Sequence, residues 1–164
     1  MELRQLSIND GENIYTMLQG IPKTENSFTN PVYGMTYKEF KKWLIKQDQW
    51  SRNENLPDGF VAQTIYWLFE HDMPIGIGKI RHELTEHSRK NGGNVGYAIS
   101  EKYRGKGYGN KILELLLLEA RNMNLEEIML TVDKYNYASK RVIEKNGGQL
   151  FNENEKKWYF RFYQ

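Results

Sequence analysis

The 164-residue chain has no cysteine, only four prolines and almost no net charge, with 23 basic residues against 21 acidic ones. Without cysteine there is no disulfide framework, no thiolate zinc or iron–sulfur site and no thiol nucleophile. A net charge of +2 argues against a protein whose main role is to coat nucleic acid or an anionic membrane. Any anion it binds must be held by a local arrangement. Long apolar runs are also missing. The longest, Leu115 to Leu118, is far short of the ~20 residues that span a bilayer. Residues 1–10 lack the apolar stretch of a secretory signal, so the expectation is a cytoplasmic protein.

What is present is globular: 39% hydrophobic, 27% charged and 13% aromatic residues. The length fits one domain spanning residues 1–164, large enough to bury roughly 70% of its unfolded surface without a metal or a disulfide.

Residues 2–7 alternate as a short strand, and Asn9-Asp10-Gly11 offers a cap for a helix ending near Gly20-Ile21-Pro22. Residues 23–34 are polar, contain Asn30-Pro31 and read as a loop. Thr36 and Glu39 have capping-box spacing, and Tyr37, Phe40, Trp43 and Leu44 follow at helical intervals to about Gln47. That aromatic stripe reads as core. Residues 60–69 are dense in β-branched and aromatic side chains, a buried central strand whose hairpin partner is residues 75–80. Residues 85–94 form a charged loop, and residues 94–100 a fourth strand. The strongest helix covers residues 107–122; a strand at 127–132, a helix at 137–146 stopped by Gly147-Gly148, and a terminal hairpin at 149–152 and 156–163 complete the chain. The expected architecture is an α/β domain on a mixed sheet, in the order β-α-α-β-β-β-α-β-α-β-β.

One segment carries specific chemistry: Tyr103-Arg104-Gly105-Lys106-Gly107-Tyr108-Gly109, between a strand and a helix. A helix start presents unpaired N–H groups and a partial positive charge, and glycines let a ligand approach that backbone. Lys102, Arg104, Lys106 and Lys111 add four cations. This pattern fits a cradle for phosphate or pyrophosphate; it also fits a tight turn with solvated lysines. A Walker A loop is excluded, because no Gly-Lys-Ser or Gly-Lys-Thr occurs. A Rossmann turn fails because Asn110 stands where its third glycine belongs.

Arg104-Gly-Lys-Gly107-Tyr-Gly109 does match R/Q-x-x-G-x-G/A, and on this motif the chain resembles the GCN5-related N-acetyltransferases (GNAT). A second matching element is Asn136-Tyr-Ala-Ser139-Lys-Arg-Val-Ile143-Glu144-Lys145-Asn-Gly147-Gly148. More closely, the chain is similar to a bacterial subgroup of acetyltransferases with unassigned substrates, through Val61-Ala62-Gln63-Thr64, Arg81-His82 and Asn146-Gly147-Gly148. Ala62 stands where that subgroup has proline.

The resemblance implies acetyl-CoA as co-substrate, no metal, and direct attack of a primary amine on the thioester in a ternary complex. It places the pyrophosphate on Arg104, Gly105, Lys106, Gly107, Tyr108 and Gly109, and the pantetheine beside Asn136 and Ser139. Free amides on the strand at Ala98, Ile99 and Ser100 would pair with the pantetheine arm. The acceptor would be a small-molecule or peptide amine, with neither nucleic acid nor membrane as partner, and a homodimer is compatible with the fold. His82 and Glu83, where the third strand ends, are the candidates for a base. Many relatives carry a tyrosine acid before the Glu-Lys pair, where this chain has Ile143; Tyr135, Tyr137, Tyr108 or water are the replacements. That departure leaves open a non-catalytic CoA-binding or regulatory domain. The loop at residues 24–30 lies, by analogy with the fold, near the acceptor mouth, where Glu25 and Asn26 are placed to read a cationic amine.

Overall fold

Trp67, Phe69 and Ile65 alternate along one face of a strand with Leu68, Tyr66 and Thr64 on the other, and each set is buried. A strand buried on both faces must lie between two layers, and the computed structural model, which describes residues 1–163, has that arrangement. Strands β1 (Glu2–Gln5), β4 (Gln63–Glu70), β5 (Met73–Arg81) and β6 (Val95–Ile99) form an antiparallel sheet in the order β1-β4-β5-β6. A second sheet has the order β7-β9-β8, from β7 (Ile128–Asp133), β8 (Gln149–Glu153) and β9 (Lys157–Phe162).

Helices α1 (Glu12–Gln19) and α2 (Tyr37–Ser51) cover one face, where Phe40, Trp43, Leu44, Trp67 and Ile77 share a core. The expected capping box of α2 is present, with Thr36 and Glu39 satisfying each other's backbone N–H groups. Helices α4 (Tyr108–Asn122) and α5 (Tyr137–Lys145) lie on the other face, against Ile80, Leu130, Phe160 and their neighbours. Gly76 and Gly78 allow α4 to sit close: a Cβ on Gly78 would stand 2.7 Å from Leu116.

Two short elements fall inside segments that composition reads as loops. Between α1 and α2 lies a small hairpin of β2 (Thr24–Glu25) and β3 (Phe28–Thr29), turned by Asn26 and Ser27 at φ 51° and 66°. This double left-handed turn suits a two-residue hairpin. Helix α3 (Glu86–Lys90) is a single turn held by reciprocal Thr85–Ser88 bonds. Asp10 does not cap α1, which starts from Gly11; its carboxylate instead accepts from Ser7 N–H and Trp67 Nε1.

The feature that positions the site is the junction of the two sheets. β6 and β7 meet at one end only. There Asn94 N–H donates to Met129 O, and the buried Asn94 side chain donates to Glu127 O at 2.7 Å and accepts from Met129 N–H at 2.9 Å. Gly93 packs so closely on this pin that a Cβ would lie 2.0 Å from Met129 O. From that apex the strands diverge into a V that opens toward Ile99 and Asp133.

Candidate active site

The backbone of β6 defines the wall of the V. Ser100 N–H donates to Ile75 O and Arg81 N–H donates to Asn94 O. In an antiparallel ladder the backbone groups alternate in direction. Those of Gly96, Ala98 and Ser100 therefore turn toward β5, and those of Val95, Tyr97 and Ile99 toward the opening. Of the three expected amides only that of Ile99 faces the V. Tyr97 is the residue missed, because the sequence does not tell which parity meets β5.

At the mouth, a 3₁₀ turn (Glu101–Tyr103) leads into the glycine loop. Gly105 and Gly107 take φ of 77° and 85°, a left-handed conformation that favours glycine, and no heavy atom lies within 4 Å of where their Cβ atoms would be. Gly107 is the N-cap of α4 and makes no side-chain cap bond, so the first amides of a 15-residue helix face the cleft uncapped. Opposite, Asn136 caps α5 by accepting from Ser139 N–H, and Ser139 Oγ lies 3.0 Å from Tyr97 Oη. Burial pushes the Tyr97 phenol above its ordinary pKa, partly offset by Ser139, so it remains protonated at neutral pH.

Together these elements enclose a cleft of about 450 Å³. Ala98, Ile99, Arg104, Gly105, Gly107, Tyr108, Gly109, Asn136 and Ser139 line it, so most of the expected cofactor residues come together. Two do not. Ser100 is buried, and its hydroxyl sits where a Cβ on Gly20 would be. Lys106 is exposed outside the lining. Arg104 lines the cleft but turns back on the protein, donating from Nε to Ile99 O at 3.0 Å and pairing with Glu25 at 2.8 Å. Its guanidinium braces the loop against the β2–β3 hairpin. The Tyr108 hydroxyl donates to Glu70, which raises its pKa.

The expected catalytic residues fall outside the lining. His82 follows β5 on the side of Gly78 and Ile80, facing the α4 layer, with Nε2 2.8 Å from Thr64 Oγ1. It also lies past the apex, beyond the Arg81–Asn94 contact. Burial lowers its pKa, partly offset by Glu83. Glu83 is exposed beyond the strand, and Tyr135 is 83% exposed at a left-handed φ of 80°. Tyr137 packs on Trp158, and Ile143 is fully buried in the core. Alternation turns Arg81 and, two residues before it, Lys79 to the opposite face of β5, on the side of the β2–β3 hairpin; neither lines the cleft itself, but Phe28, which lies over Lys79, does. The signal was there: Lys79 interrupts the otherwise apolar run Ile75-Gly-Ile-Gly-Lys-Ile80.

The hairpin closes the other face of the V. Phe28 lies over Gly96 and over the Lys79 ammonium, 4.6 Å from the ring centroid, and Lys79 Nζ donates to Thr29 O at 2.7 Å. On the far arm, Asp133 accepts from Ser27 at 2.6 Å and from Lys157 at 2.8 Å; these bonds hold its pKa below the usual value against the opposing effect of burial. Among the described residues no group of three His, Asp or Glu side chains is placed to hold a metal, and no helix is long and apolar enough to cross a membrane.

The splayed sheet, glycine loop and uncapped helix stand where the motif resemblance leads one to expect them. The family model for the acetyltransferase (GNAT) domain matches residues 1–149, and the chain belongs to that family. A curated relative, the uncharacterized N-acetyltransferase YycN of Bacillus subtilis, is 31% identical over 68 residues, which is 42% of this chain and 44% of that protein. The match thus spans less than half the length of that relative. The crystal structure of a GNAT-family acetyltransferase from Streptococcus pneumoniae superposes with a TM-score of 0.65 at 17% identity, covering 98% of this chain and 96% of that one. The Campylobacter jejuni N-acetyltransferase PseH, solved with acetyl coenzyme A, gives 0.66 at 14% identity over 99% and 98%. These two likenesses concern the fold.

Proposed function

We propose that the protein moves the acetyl group of acetyl-CoA to a primary amine by direct attack within a ternary complex. The observation that carries this reading is the cleft at the mouth of the V, where two left-handed glycines and the uncapped amides of α4 meet the outward-facing backbone of β6. The loop amides of residues 105–109 would hold the pyrophosphate. The backbone groups of Tyr97 and Ile99 would pair with the pantetheine arm, and Asn136 and Ser139 would flank it. Acetyl-CoA supplies an activated acyl group. The amine nitrogen attacks the thioester carbonyl, the C–N bond forms as the C–S bond breaks, and the proton lost by nitrogen is matched by the one the thiolate takes up.

An amine attacks only when neutral. Among the described residues Glu25 is the one carboxylate lining the cleft, and its charge is engaged by Arg104. The proton therefore leaves through water at the mouth. An amide of β6 can stabilise the developing oxyanion.

The test is thermal unfolding with acetyl-CoA, CoA, NAD and ATP in parallel, followed by thiol release with a panel of amines. A ligand at ~100 times its dissociation constant stabilises by about 2.7 kcal/mol. A rise with acetyl-CoA and CoA alone, together with thiol release, supports the proposal. A rise without turnover on any amine would favour the non-catalytic CoA-binding domain, and a rise with NAD or ATP instead would overturn both.

A further inference from the structure

Beside the cleft, under the β2–β3 hairpin, lie two cations paired with no carboxylate among the described residues. Lys79 and Arg81 stand two residues apart on the face of β5 that looks toward the hairpin, opposite Gly96 of β6 and Asn94 just before it. Both are partly buried, and neither forms an ion pair with a carboxylate among the described residues. Their polar contacts are main-chain carbonyls: Lys79 Nζ donates to Thr29 O, and Arg81 Nη1 donates to Gly93 O at 2.9 Å. Glu83, two residues past Arg81, is exposed and pairs with neither cation, and the other acids nearby are engaged elsewhere. Glu25 on the hairpin is paired with Arg104, and Asp133 on β7 with Lys157. β6 and the residue before it contribute only small or neutral side chains here, Gly96, Ala98 and Asn94, and β4 contributes Gln63, which donates to Gln47.

Sheltered cations are ordinarily paired. Here burial and mutual repulsion push Lys79 down to about 8, and burial lowers Arg81. An arriving anion would relieve that strain, whereas a polycationic acceptor would add to it. We infer that the acceptor is an amine that also carries a carboxylate or a phosphate, held by Lys79 and Arg81 on the hairpin side of β5. This rests on the acetyl-transfer reading and narrows its substrate class.

Strand spacing sets the span. With the reacting carbon beside Ala98, Lys79 is reached diagonally at about 8 Å and Arg81 at about 14 Å. The anionic group is therefore several bonds from the reacting nitrogen, as in an acidic side chain next to a peptide N-terminus. The Phe28 ring, stacked on Lys79, roofs this path.

The experiment compares matched acceptors, each as its C-terminal amide: glycyl-glutamate with glycyl-glutamine, and glycyl-O-phosphoserine with glycyl-serine. Thiol release from acetyl-CoA gives kcat/KM, and calorimetry on the CoA-loaded protein gives acceptor affinity without turnover. In the unaltered protein the anionic member of at least one pair is expected to win by about tenfold in both readouts, a difference of about 1.4 kcal/mol; which pair shows it separates carboxylate from phosphate. Lys79→Met should bring the ratio near one and Lys79→Glu should invert it, while acetyl-CoA affinity is unchanged. Equal use of charged and neutral members, with acetyl-CoA still bound, would overturn the acceptor assignment and leave acetyl transfer standing. Absence of acetyl-CoA binding would overturn the reading beneath it.

Discussion

The two sides of the V are built from different materials. The proposed cofactor side is mostly backbone: left-handed glycines, the first amides of α4 and the outward edge of β6. The proposed acceptor side is mostly side chains from distant parts of the sequence, with Phe28 on the hairpin over Lys79 on β5, and Ser27 bonded to Asp133 on β7. A backbone site recognises a group common to many ligands, here the proposed pyrophosphate, and needs little more than glycine in the right places. A side-chain site selects among ligands, and it can be rewritten without touching the first.

The apex that both sides share is where the contrast is most easily broken. Gly93→Val should have the largest effect, since its Cβ would meet Met129 O at 2.0 Å and its φ is 70°. A loss of about 3 kcal/mol or more is expected, read as a fall in the urea midpoint or as failure to fold. Asn94→Ala leaves Met129 N–H and Glu127 O without their partner, and should cost about 2–4 kcal/mol in the same measurement. Glu25→Gln tests whether the two sides are coupled. The Glu25–Arg104 pair is more than a third exposed on both partners, so CoA affinity should change by no more than about fivefold, within the range of exposed pairs.

The pH dependence separates the sides further. Lys79, at about 8, is charged below that pH and neutral above it, and among charged groups Arg81 is the one that acts on it. The preference for anionic acceptors should therefore fall as pH rises through about 8, and Lys79→Arg should keep it to higher pH. The folding linkage has the opposite sign to the usual lysine. Because the folded value lies below that of the unfolded chain, this group's contribution to stability rises between about pH 8 and 10.5. The smallest effect belongs to His82. Directed toward the α4 layer and bonded to Thr64, it should change turnover by less than about twofold as His82→Ala, a difference well under 1 kcal/mol.

The same division governs what could be read from the sequence. The strands and long helices follow from periodicity, and Phe40 and Trp43 are buried as their helical spacing implies. The glycine loop was legible because its chemistry is local, seven consecutive residues that fold on themselves. The β2–β3 hairpin was not, because its left-handed Asn26-Ser27 turn lacks glycine and its partners lie 50 to 130 positions away, Thr29 with Lys79 and Ser27 with Lys157. The choice between His82 and its neighbours turned on strand parity. A single position along β5 decides whether a side chain meets the α4 layer or the hairpin side, and composition alone gives Arg81 and His82 equal claim. The free amides of β6 moved from Ala98 and Ser100 to Tyr97 for the same reason.

The most direct test of the cofactor side is calorimetric titration of CoA into the protein and into Gly107→Glu, with circular dichroism to establish that both are folded. A carboxylate at Gly107 would stand where the proposed pyrophosphate would lie and would occupy a left-handed position. The account predicts a loss of about 100-fold or more in affinity, at least about 2.7 kcal/mol. Equal affinity in a folded variant would contradict it.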